Sequence, residues 1–443
     1  MTARMEARHR LGRPAQAALA AVAALALGAS AACSGGGAAP SAAPAPANPP
    51  AAPPAAPQQN APPAGTAEPP PASGAGAPPP AQTQKPSALF VLGDSLSDSG
   101  NAGALADYLL DQPVHPASVG LCNPADTFVI PRACEDLFYR RSRVSDGPVA
   151  VEHVAAHFGL PELVPSFHVI PERPGSGTNY AVASAKARAP EVEDLLHQVD
   201  RLLLEHGPLL PEDALYVVMI GGNDALDALK AAVPDAEVET PPDEVVPDEA
   251  GGDGAAPPAP GGAAPTSGAI VTAAVAATAI AVERLIDFGA RRLVVANVPD
   301  LAALPAVRAA ARAAADEAAV LAAAGMVSAA FNAELAAALE RIAAERVWMT
   351  SLTLTRFDLR AALGAAQAAA AASGGNPIDA CFDSELYRAS STAVRAFHAD
   401  CAPAGDEAPR FDAFAFWDGI HPSGAAHEVI GAALIAAVEA GRS

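Results

Sequence analysis

Between residues 87 and 443 the chain alternates short apolar runs with longer stretches of helical period. Five runs read as strands: 88–92 (ALFVL), 178–182 (TNYAV), 215–220 (LYVVMI), 293–296 (LVVA) and 346–350 (RVWMT). Helical patterns fall near 148–158, 191–206, 270–288, 306–343 and 424–441. The strands are continuous in their apolar content rather than alternating, which marks burial on both faces. This pattern predicts an α/β fold with a mostly parallel five-stranded sheet between two helical layers, α/β/α, and any site at the carboxyl ends of the strands. The alanine-rich stretches at 306–343 and 361–373 read as helix-forming composition rather than as repeats.

The pattern fails in two places. Between Cys33 and Pro86 lie seventeen of the chain's 44 prolines, two charges, and no Val, Leu, Ile, Phe, Tyr or Trp. Such a segment cannot bury enough apolar surface to offset chain entropy, so 33–86 reads as a disordered linker. The stretch 233–268 carries eight Asp or Glu and no base between 235 and 253, and reads as a disordered acidic insertion.

At the N-terminus Arg4, Arg8, Arg10 and Arg13 precede an apolar run at 17–27 and then small residues. This is the layout of an export signal over 1–32, too short to span a bilayer comfortably. The SAAC of 30–33 resembles the lipobox of bacterial lipoproteins, where cleavage before the cysteine leaves a thiol to be acylated. Ser30 stands where that box usually has leucine, and ordinary cleavage after 29–31 is the alternative. The expectation is an exported protein held to a membrane through lipid on Cys33, or otherwise periplasmic or secreted.

Charge and cysteines narrow the picture further. A formal net charge of −22 argues against nucleic acid, whose phosphates need a basic surface. Of five cysteines, setting Cys33 aside leaves four, which an exported protein tends to pair. Cys122 with Cys134 and Cys381 with Cys401 are the favoured pairings; the other two connectivities stay open. No CxxC occurs, and His153 and His157, four apart on a helical stretch, lack HExxH and a third ligand, so no metal or other cofactor is expected.

Candidate chemistry sits where the strands end. The first runs into Gly93-Asp94-Ser95-Leu96-Ser97-Asp98-Ser99-Gly100-Asn101, which places a serine in a turn before a helix. The third ends in Gly221-Gly222-Asn223-Asp224, and near the C-terminus comes Asp418-Gly419-Ile420-His421-Pro422-Ser423. A serine, an asparagine, and an Asp and His three apart are the parts of acyl transfer: nucleophile, oxyanion donor, base orienter and base. Asp94 and Asp224 read as capping or turn residues beside them.

In these motifs and their order the sequence resembles the GDSL esterase/lipases of the SGNH hydrolase superfamily. Arg143 to Pro148 (RVSDGP), Asn179-Tyr180-Ala181 and Asn297-Val298-Pro299-Asp300 are similar to that family's secondary segments. The GxSxG elbow of ordinary α/β-hydrolases is absent, because Ser97 occupies the second glycine position. The resemblance implies a flavodoxin-like fold and a serine esterase or lipase acting on a small ester or lipid. In it Ser95 is the nucleophile, His421 the base and Asp418 its orienter, with an oxyanion hole from the backbone N–H of Ser95, the backbone N–H of Ser184 and the amide of Asn223. Ser184 departs from the family, which has glycine there, and its Cβ is expected to narrow the acyl pocket. An acyltransferase using the same triad and a non-catalytic surface binding module are the alternative functions.

Overall fold

The computed structural model describes residues 85–110, 143–170, 175, 177–207, 209–234, 264–382, 398–401 and 410–441. The export signal, Cys33, nearly all of the linker, Cys122, Cys134 and residues 235–263 of the acidic insertion lie outside the described residues.

Four strands, β1 (Leu89–Gly93), β2 (Leu215–Met219), β3 (Arg292–Ala296) and β4 (Thr353–Phe357), form a parallel sheet in that order. One row of the register runs Val91, Val217, Val294, Thr355. Every residue of β1 and β2 is buried, as continuous apolar runs covered by helices on both faces require. The expected strand at 178–182 lies beside β1 but forms an isolated parallel bridge at Asn179 rather than a ladder. Val91 donates to the Thr178 carbonyl at 3.0 Å, and the N–H groups of Tyr180 and Val182 donate to Val91 and Gly93. The carbonyls of Asn179 and Ala181 are taken by the Asn101 side chain at 2.8 Å each.

One expected strand is misplaced. RVWMT at 346–350 follows a helix end and turns in solvent, with Val347 79% and Trp348 73% exposed, while β4 is the TLTRF of 353–357. The helix carries through Glu345, and the apolar Val347, Trp348 and Met349 just beyond it give RVWMT the composition of a strand. The expected helix at 306–343 is two: α6 (Pro305–Ala313) opens on a proline in its first turn, and α7 (Glu317–Glu345) on Asp316, whose carboxylate accepts from Ala319 at 3.0 Å.

The remaining helices in chain order are α1 (Asn101–Leu110), α2 (Ala150–His157), α3 (Leu195–His206), α4 (Gly222–Ala232), α5 (Ser267–Asp287), α8 (Leu359–Ala372) and α9 (Gly424–Ala440). Helix α5 begins inside the stretch read as acidic insertion, capped by Thr266. Two groups, α2 with α8 and α9, and α3 with α4, α5 and α7, pack around the sheet. A second small sheet pairs β5 (Asn376–Ala380) with β6 (Phe414–Phe416) and was not foreseen. Beside it Cys381 and Cys401 form a disulfide, as favoured.

Candidate active site

The turn after β1 is fixed from both sides. A Cβ at Gly93 would lie 2.1 Å from the Met219 carbonyl oxygen, so only glycine lets β1 end this close to β2. The Gln198 side chain clamps the same residue, accepting from the Gly93 N–H and donating to its carbonyl, each at 2.8 Å. Asp94 then accepts from Leu96 at 3.1 Å and closes the turn that presents Ser95. Four residues on, the Asp98 carboxylate accepts from Gly100, Asn101 and Ala102 at the start of α1 and from Ala183 across the cleft.

That last bond sets the second loop. Ser184 adopts a left-handed φ of 70°, the conformation for which glycine is the usual residue. Of the neighbouring N–H groups, Ala183 donates to Asp98 and Ala185 to Val182, and no acceptor among the described residues takes the Ser184 N–H. Its hydroxyl is buried without a partner.

The third loop begins at Gly221, with φ 110°, where a Cβ would strike the Phe331 ring at 2.4 Å. Helix α4 starts there, and Asn223 in its first turn donates through Nδ2 to the Ala185 carbonyl at 2.9 Å. Asp224 accepts from Ala187 at 2.8 Å and pairs with Arg188. Both side chains therefore tie the second loop to the third.

The histidine comes on a hairpin between β6 and α9, closed by a bridge from Phe416 to Pro422. Asp418 Oδ1 accepts from the Ile420 and His421 N–H groups at 2.9 and 2.8 Å, which folds the loop back on itself. Ser145 and Asp146 of the RVSDGP segment hold it from outside, through Pro422 and Gly424.

These loops bring Ser95, His421 and Asp418 together. Nε2 of His421 lies 2.8 Å from Ser95 Oγ, and its Nδ1 lies 2.8 and 2.9 Å from the two Asp418 oxygens. A carboxylate only accepts, so Nδ1 carries the proton and Nε2 accepts from the serine hydroxyl. All three residues are buried, Ser95 at 8% exposure. Burial alone would push the Asp418 carboxyl up; the charge and hydrogen bond of His421 and the two N–H groups outweigh it and hold the acid below its usual range. Asp94 goes the other way: burial raises it to about 7, against the Leu96 N–H and the nearby His421. Burial likewise raises Asp224 to about 6, opposed by the Ala187 N–H and Arg188. On α9, burial drives His427 down to about 3, so it stays neutral beside His421 and accepts from the Ala150 N–H through Nδ1.

Beside the serine opens a narrow cleft of about 30 Å³, walled by leucine, isoleucine and proline side chains. Asn223 lines it with Ser95, and Ser184 is not among its lining residues. Among the described residues no group of three His, Cys, Asp or Glu could hold a metal ion. His157 contacts Glu439 at 3.0 Å, while His153 Nε2 is buried without a partner.

Gln198, Asn101 and Asn179 also organise this site. Asn101 and Asn179 stand inside the quoted motifs, and Asn179 donates to Ser97 O and Ser99 Oγ at 2.7 and 2.9 Å. Gln198 lies on α3, 105 residues from its partner, with no local signal.

A mostly parallel sheet with helices around it and the Ser95, His421 and Asp418 side chains at its carboxyl end is an α/β arrangement consistent with the SGNH hydrolase fold. The chain belongs to the GDSL-like lipase/acylhydrolase family, whose model matches residues 89–434. No curated protein matches the sequence. Family membership supports acylhydrolase activity.

Proposed function

We propose that the protein is a serine esterase that hydrolyses carboxylic esters through an acyl-enzyme. The observation that carries this reading is the unbroken chain from Ser95 Oγ through His421 to Asp418, with 2.8 Å at each link. Ser95 Oγ attacks the ester carbonyl carbon while its proton passes to His421 Nε2. The oxyanion is held by the N–H groups of Ser95 and Ser184 and by the Asn223 amide. The tetrahedral species collapses, the C–O bond to the alcohol breaks, and His421 returns the proton to that alcohol. Water then attacks the acyl-enzyme, giving its proton to His421; the carboxylic acid leaves and Ser95 regains its hydrogen. Asp418 stays ionised throughout and stabilises the imidazolium, in keeping with its lowered pKa.

A fluorophosphonate probe tests the assignment. Stoichiometric labelling of the peptide that contains Ser95, lost in His421→Ala, is expected. Ester turnover with Ser95 unlabelled would overturn it. We further propose export with lipid attachment at Cys33, on the strength of the arginine-led apolar run and the SAAC that follows it. Membrane fractionation of full-length Cys33→Ala should release the protein, and unchanged membrane retention would remove the anchor.

A further inference from the structure

The most exposed large apolar side chains gather at one end of the sheet. Among the described residues they are Val347 at 79%, Leu209 at 77%, Trp348 at 73% and Leu204 at 72%. All four stand where the chain enters the parallel strands: Leu204 in the last turn of α3, Leu209 in the loop before β2, and Val347 and Trp348 between α7 and β4. Polar contacts join these loops into one surface. Leu210 donates its N–H to the carbonyl of Phe288, itself exposed before β3, at 2.7 Å. Arg346 pairs with Asp287 at 3.4 Å, and the Thr353 N–H donates to the Arg291 carbonyl at 2.7 Å. The segment that leads back to Cys33 leaves from the same end: the Ser87 N–H donates to the Asp213 carbonyl at 3.2 Å and its hydroxyl to the Asp213 carboxylate at 2.8 Å. The stretches 85–88, 209–214, 287–292 and 345–352 carry four Lys or Arg and four Asp or Glu, a balanced charge in a chain of net −22.

We propose that this amino end of the sheet is a docking face for a lipid bilayer, with Leu204, Leu209, Val347 and Trp348 seated among the headgroups. An apolar face of balanced charge suits a zwitterionic lipid surface, and an indole, apolar in its ring and polar at its N–H, suits the boundary between acyl chains and water. The choice of occupant rests on the lipid attachment at Cys33 proposed above, which would tether the domain by the end from which its chain departs. The face then supplies the second, weaker attachment that steadies a lipid-anchored protein on a membrane. The triad stands at the opposite, carboxyl end, about 17 Å away along five-residue strands. Docking therefore leaves the catalytic end open to water, and esters reach it from the aqueous side rather than from the bilayer beneath.

The chain has two tryptophans, and Trp417 is fully buried, so Trp348 alone reports on this face. The full chain is mixed with phosphatidylcholine vesicles, with and without bromine on the acyl chains. Trp348 emission should move to shorter wavelength and be quenched at least about twofold by the brominated lipid, and Trp348→Phe should show no quenching. Cys33→Ala should keep the quenching once lipid is raised. In that background Leu209→Glu with Val347→Glu should lower vesicle affinity at least about tenfold, with the melting temperature and turnover of a soluble ester unchanged. No quenching at any lipid concentration would overturn the docking face, whether or not the anchor retains the protein. Quenching of equal strength in Cys33→Ala and the wild type would instead support the face and remove the anchor. A dimer in lipid-free solution that Val347→Glu dissolves, with no quenching by vesicles, would give the face to a second copy of the chain and overturn the proposal.

Discussion

The ends of β1 and β2 and the cleft beside them present opposite kinds of side chain: polar at the first, apolar at the second. Around Ser95 the chain is a mesh of side chain to backbone hydrogen bonds: Asp98 to Ala183, Asn101 and Asn179 across the edge of β1, Gln198 on Gly93, and Asp224 on Ala187. The cleft beside it is lined instead by apolar side chains from five stretches of chain, Leu226, Leu301 and Leu304, Leu359 and Leu363, Ile420, and Ile430, while the backbone behind Leu301 is held by Asn332 on Val298 and by Ser328. Hydrogen bonds are directional and fix atoms to tenths of an ångström, as bond-making requires; apolar contacts are not, and shape a surface without fixing single atoms on it. Chemistry and selectivity should therefore respond separately to substitution.

The largest effect should come from the mesh side. Ser95→Ala replaces a hydroxyl in a turn and removes the covalent route, so kcat/KM should fall at least about a thousandfold with the melting temperature nearly unchanged. Asn223→Ala follows, with kcat lowered roughly 10²- to 10³-fold and KM little changed. Because Asn223 also holds the Ala185 carbonyl, this variant should lose some stability as well, which thermal melting reads separately.

Gln198→Leu would leave the N–H of Gly93 buried without a partner, its carbonyl keeping the Val182 N–H, and should cost about 1 to 3 kcal/mol in denaturant unfolding, although Gln198 touches no reacting group. This places positioning apart from chemistry within the mesh itself. A stability loss below about 1 kcal/mol would show that the clamp is dispensable.

The smallest effect concerns Asp94. Its carboxyl, raised by burial to about 7, holds a proton that the unfolded chain gives up near pH 4. Between those values the folded state binds more protons, so this group's contribution to stability is full at low pH and is lost as pH rises through about 7. Asp224 and Asp194, each raised to about 6, act in the same direction. Asp94→Asn should therefore lessen the decline in stability from pH 5 to pH 8 by on the order of 2 to 3 kcal/mol. An identical pH profile in the variant would contradict the buried, protonated state.

The same contrast explains what was legible in the sequence. Ser95, Asn223, Asp418 and His421 sit in short motifs because each needs a turn of particular geometry, and turns are encoded by adjacent residues such as Gly221 or the Asp418 loop. Strands β1, β2 and β3 were legible because double-sided burial demands continuous apolar runs. Strand β4 was missed because only Phe357 of its five residues is fully buried, so TLTRF lacks that signal while the exposed RVWMT imitates it. Gln198 and the leucines of the cleft could not be found by pattern, since their partners are brought near only by the fold.

The central claim is a covalent intermediate on one serine. Intact and peptide mass spectrometry of enzyme quenched in acid during turnover of a hexanoate ester tests it most directly. The account predicts a single hexanoyl adduct on the peptide containing Ser95, absent from Ser95→Ala. Sustained turnover with that peptide unmodified, or an adduct on another residue that survives Ser95→Ala, would contradict it.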